Sequence, residues 1–229
     1  MMDPHRKQWN LQQQALRASL ARPQDHQKAI DLFLVQHAMV HSAQMAGAGI
    51  WSFEDETLAG LTDGQLRLIP PGGEHSIAWL LWHMTRIEDV TMNLLVAGGT
   101  QVWATEGWQV RLKIGPCHTG NGMDAAGVAD ISAALDLNAL REYRLSVGRR
   151  TRQVVLELEP DGLKKKVAPA RLEQVRLEGA VLEATSELLD YWGGLRISGL
   201  LLMPPTRHPF IHWNEALHIR QKIRSSSSA

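Results

Sequence analysis

The chain has 229 residues, with 24 basic and 24 acidic side chains and a formal net charge of zero. That balance argues against nucleic acid as the main partner, since phosphate binding needs a surplus of Lys and Arg. At 44% hydrophobic and 21% charged residues it reads as a globular protein, and one Cys (Cys117) excludes disulfide scaffolds and thiolate zinc clusters and suits a reducing cytoplasm.

The first residues lack the apolar stretch of a secretory signal, no apolar run approaches a membrane span, and no internal linker or repeat divides the chain. One domain over residues 8–224 is expected, with flexible termini over 1–7 and 225–229. Helical periodicity dominates. A helix is expected over residues 25–48, where Ile30, Leu34, His37, His41 and Met45 share a stripe. The run at 69–73 (IPPGG) cannot be helical. A second helix over 76–96 carries Trp79, Leu80, His83, Ile87, Val90 and Leu94 inward and stops at a Gly pair. Residues 100–124 are Gly-rich and aperiodic, which suggests a lid, a functional loop or a subunit contact. A third helix capped by Asn138 runs to about 158, a fourth spans 169–192, and a last helix spans 209–224 after Pro204 and Pro205. Residues 110–114 and 195–202 are the only β candidates. The fold expected is an all-α, up-and-down four-helix bundle with an additional helix and one long Gly-rich loop.

Ten His stand out in this composition. In a bundle, a metal site is built from side chains that project inward from facing helices. His41, His83 and His212 each lie on an apolar face of a different helix, a neutral imidazole set suited to Zn²⁺, Ni²⁺ or Fe²⁺. A buried histidine on an apolar face is also an ordinary hydrogen-bonded core residue. His208 precedes His212 by four, but Pro209 pushes it out of the α region and weakens the shared-face argument, leaving it a fourth candidate. His37 could support His41, and Glu88, Asp89 or Glu215 could orient a ligand imidazole, although acids beside Arg86 and Arg220 commonly form surface ion pairs. His218 is expected in solvent.

The segment HSIAWLLWHMTRIEDVTMN over residues 75–93 resembles the second helix of the DinB-like bacterial metalloproteins, as do QHAMVHS over 36–42 and RHPFIHWNEAL over 207–217. The resemblance implies three His ligands from the second and last helices and a divalent metal, zinc or nickel. His83 matches the second-helix ligand. A strict alignment of the tail puts Asn214 where a His is expected, ahead of His218; the pair His208 and His212 keeps the spacing in a shifted register, with His41 as a substitute ligand. The resemblance also implies a homodimer in the cytoplasm and a metal-dependent S-transferase using a low-molecular-weight thiol, or a hydrolase, acting on small electrophiles. The alternative is a non-catalytic metal-binding or stress-response protein with a structural His cluster.

Overall fold

The computed structural model describes residues 4–47 and 49–226. Residues 1–3, 48 and 227–229 lie outside it, and with them part of both expected flexible termini and the expected end of the first helix. Five long helices carry the fold: α1 (Pro4–Leu20), α2 (His26–Val40), α3 (Ile77–Asp89), α4 (Leu137–Leu156) and α5 (His208–Ser226). Helix α1 packs along α2, and α3 packs against both α4 and α5. Among the described residues there is no strand, only an isolated bridge between Lys166 and Arg196. The all-α expectation therefore holds. Both β candidates are helical over most of their length, within Trp108–Leu112 and Ile197–Leu202, and Arg196 makes the isolated bridge.

All thirteen residues of α3 are buried, including Arg86, Glu88 and Asp89. A helix covered on every side is the centre of a bundle, and its charged groups must find partners inside. Ser76 starts it by accepting the Trp79 amide at 3.0 Å. Past Asp89 the coil widens into a π turn over Val90–Ala97 and ends at Gly98, whose φ of 69° lets its amide return to the Asn93 carbonyl.

Several boundaries differ from the expected ones for identifiable reasons. Helix α2 stops at Val40 because that carbonyl is taken from outside, by Arg144 Nη2 at 2.7 Å and Trp213 Nε1 at 2.8 Å. His41 is left extended (φ −114°, ψ 164°), and a separate short helix follows at Ala43–Ala46. Asp136 rather than Asn138 caps α4, accepting the Ala139 amide at 3.1 Å. The expected fourth helix is broken: Pro169–Leu177 ends ahead of Gly179 in the left-handed region, and Glu187–Gly194 begins anew. The long loop is largely folded. It holds the helical turns Val102–Thr105 and Trp108–Leu112 and buries Trp103, Trp108 and Leu112. Its tryptophans thus serve the chain's own core.

The core has two apolar clusters. One gathers Ile77–Met84 of α3 with Trp213 and the long loop; the other gathers Ile87 and the π turn with Phe33, Trp192 and Leu200. Between them α3 presents Thr85, Arg86, Glu88 and Asp89, so the buried charges lie along the seam.

Candidate metal centre

Three of the four singled-out histidines meet. His83 Nε2 lies 3.1 Å from His208 Nε2, and His212 Nε2 lies 3.1 Å from the same atom. His83 comes from α3, and the other two from the first turns of α5. His208 is in the α region (φ −60°, ψ −51°) despite Pro209, because a second π turn over Met203–Arg207 feeds directly into α5. The four-residue spacing therefore does put His208 and His212 on one face, and the steric rule for the residue before proline is overridden.

The opposite ring nitrogens set the tautomers. His83 Nδ1–H donates to the Thr119 carbonyl at 2.6 Å, and His212 Nδ1–H donates to Glu215 Oε2 at 3.0 Å. Both turn Nε2 toward His208. Glu215 also takes His75 Nδ1–H at 2.8 Å. Its burial favours the neutral acid, but the hydrogen bonds from His212 and His75 outweigh that and hold the carboxyl at about 2. Burial, helped by the neighbouring His212, pulls His83 down to about 3, so its imidazole is neutral at pH 7. His208 is likewise held well below the ordinary histidine range, first by burial and then by His83 and His212.

The three rings do not satisfy one another here, since one proton on His208 Nε2 serves only one neighbour and His208 Nδ1 is buried without a partner. Metal–nitrogen bonds of about 2.0–2.1 Å in a tetrahedral shell put ligand nitrogens roughly 3.3 Å apart. The observed 3.1 Å spacing and the fixed Nδ1 protons fit a divalent cation held by three His ligands.

A strap over residues 117–120 positions His83. The Thr119 amide donates to the Ala180 carbonyl at 2.9 Å while its carbonyl holds His83. Arg86 Nη2 reaches the Cys117 carbonyl at 2.5 Å, and Arg86 also binds Asp89, Tyr143 and Gln101. Trp79 stacks on His83 at 4.8 Å and on His75 at 4.1 Å, forming the aromatic side of the centre. Trp82 is fully buried, and Trp103 and Trp108 lie under the guanidinium groups of Arg86 and Arg111. A cavity of about 670 Å³ beside Trp108, Arg111 and Arg150 includes none of the three histidines.

The structure does not bring His41 to this centre. Its Nε2 meets Glu88 Oε2 at 2.8 Å, and His37 Nε2 meets Glu88 Oε1 at 2.8 Å. The stripe that placed His41 beside His83 assumed a helix continuing past Val40. Asn214 turns back to the Phe210 carbonyl, and His218 is exposed, so the Asn214–His218 register is not the one that converges. Glu88 and Asp89 are not surface acids but fully buried ones. Glu215 does orient a histidine, as its position suggests. Thr119 has no signal in the sequence, because it acts through a main-chain carbonyl that every residue type possesses.

A family model described as the DinB superfamily matches residues 55–190, more than half of the chain. The matched stretch contains His83 and Glu88 and ends before His208 and His212. No curated protein matches the chain.

Proposed function

Because the chain belongs to the DinB superfamily, we propose that it holds a divalent metal, zinc or nickel, on His83, His208 and His212 and activates a small nucleophile against a small electrophile. The observation that supports this most directly is the convergence of three Nε2 atoms, with the Nδ1–H groups of His83 and His212 held on the far side of their rings. Imidazole donors of this kind suit zinc and nickel. A divalent ion there would lower the pKa of a bound thiol or water toward neutrality.

The protein's own groups would do the rest. The Thr119 carbonyl and Glu215 keep the Nδ1 protons of His83 and His212 in place, so neither ring is free to turn its lone pair away. His83 is almost wholly covered, whereas the His212 side chain is 17% and that of His75 22% exposed. The less covered edge of the centre is therefore at His212 and His75. A low-molecular-weight thiol as co-substrate, a homodimeric state and a cytoplasmic setting belong to the same reading. Among the described residues no helix is long and apolar enough to cross a membrane.

Metal analysis of purified protein tests the proposal. His83→Ala, His208→Ala and His212→Ala should each empty this centre, while His218→Ala should leave it filled. Consumption of a thiol-reactive electrophile should then require both the metal and a small thiol. Protein that carries no metal after chelator-free preparation would sink the reading. A filled centre that supports no turnover with any small thiol would reduce it to metal binding alone.

A further inference from the structure

We propose that His37, His41 and Glu88 form a second metal site, closed to solvent, that ties the end of α2 to the middle of α3. The three side chains have no exposed surface, and the two imidazole Nε2 atoms address the two oxygens of one carboxylate, each at 2.8 Å. Two imidazoles and a carboxylate gathered on one point are a donor set for a borderline divalent cation such as Zn²⁺.

Charge inventory favours a cation at this point. A carboxylate with no access to water needs a positive partner. The buried arginines of α3 and α4 are engaged elsewhere: Arg86 with Asp89, and Arg144 with Glu54 at 2.5 Å. Glu88 thus has only imidazoles on its oxygens. The far nitrogens of those rings, His37 Nδ1 and His41 Nδ1, are buried without a partner, so the one bond each ring makes is the one its Nε2–H donates to Glu88. This contrasts with His83 and His212. An ion among the three donors needs them to move apart from 2.8 Å, since ligand atoms bonded to a tetrahedral zinc at about 2.0–2.1 Å sit roughly 3.3 Å apart.

The surroundings are built to close over the site. Gly148 of α4 faces His41, and a Cβ there would lie 3.0 Å from Nδ1 and 2.8 Å from Met45 Cγ. Only a residue without a side chain lets α4 approach so far. The break after Val40 gives His41 the extended backbone from which it reaches Glu88 beside His37. Such a site would fill during folding and stabilise the helix pair, a role distinct from that of the half-open His83 centre.

The test is a zinc count on untagged protein expressed in zinc-supplemented medium and freed of loose metal by gel filtration. The expected result is two zinc ions per chain in the wild type and one in each of Glu88→Gln and His212→Ala. One zinc in the wild type that His212→Ala removes would overturn the second site and leave the three-histidine centre standing. One zinc that Glu88→Gln removes and His212→Ala keeps would support the second site and sink the other. Two zinc ions retained by Glu88→Gln would also overturn the proposal. Where Glu88→Gln fails to fold, the wild-type and His212→Ala counts decide: two and one support it, one and none refute it.

Discussion

Gly120 has φ +91°, and a Cβ on it would lie 2.7 Å from the Trp82 ring and 3.1 Å from that of Trp79. Both the backbone and the space therefore call for glycine. Gly120→Ala should cost on the order of 2 kcal/mol of stability through strain and overpacking. It should also weaken metal binding, because the neighbouring Thr119 carbonyl would shift off His83. Urea unfolding and a competition titration with a chromophoric chelator check the two effects; unchanged affinity would mean the strap does not position the ring. At this scale the sequence was informative where a side chain lies on a helical face: His83 and His212 were found that way. It misled at His208, where a local steric rule lost to the π turn that feeds α5, and at His41, where a helix was cut short by donors from two other helices. It was silent on Thr119, whose contribution is a carbonyl.

Among the elements, α3 has the most unusual requirement, since it places two acids and an arginine where no water reaches. Arg86 serves four partners at once: Asp89 on its own helix, Tyr143 of α4, and Gln101 and the Cys117 carbonyl at the two ends of the long loop. Burial pushes the Asp89 carboxyl up, opposed by Arg86, the Tyr143 hydroxyl and the amides of Trp103 and Val102. Arg86→Ala should cost about 3–5 kcal/mol by stranding that carboxylate, and Asp89→Asn in the same chain should recover part of the loss. A stability loss below about 1 kcal/mol in urea unfolding of the single variant would show that Asp89 has other support. Helix α3 itself was legible from its apolar stripe and its Ser and Gly boundaries. Helix α1 was not, because its buried positions are Trp9, Gln13, Leu16 and Ser19, only two of them apolar. Its docking relies on single contacts instead, with Trp9 stacked on Phe210 at 3.9 Å and Gln13 donating to the Leu202 carbonyl.

For the molecule as a whole, histidines kept neutral by burial link stability to pH. The His83 imidazole sits at about 3 in the native state against an ordinary 6.5. Below pH 6.5 the unfolded chain takes up a proton that the native chain refuses, so stability present above 6.5 drains away as pH falls toward about 3. In metal-free protein His83 should account for a loss on the order of 2 kcal/mol between pH 7 and 5. Bound metal, competing with the same proton, should displace that loss to lower pH. Unfolding curves at pH 7, 6 and 5 would show it, and a flat profile would refute it. The arrangement at Thr119 also has a spectroscopic use. Its carbonyl accepts from His83 Nδ1 while its amide is donated to Ala180. A displacement of the strap that frees the ring would also release that amide to exchange with deuterium. A single backbone proton thus becomes a clock for opening of the centre, readable by NMR without perturbing a ligand.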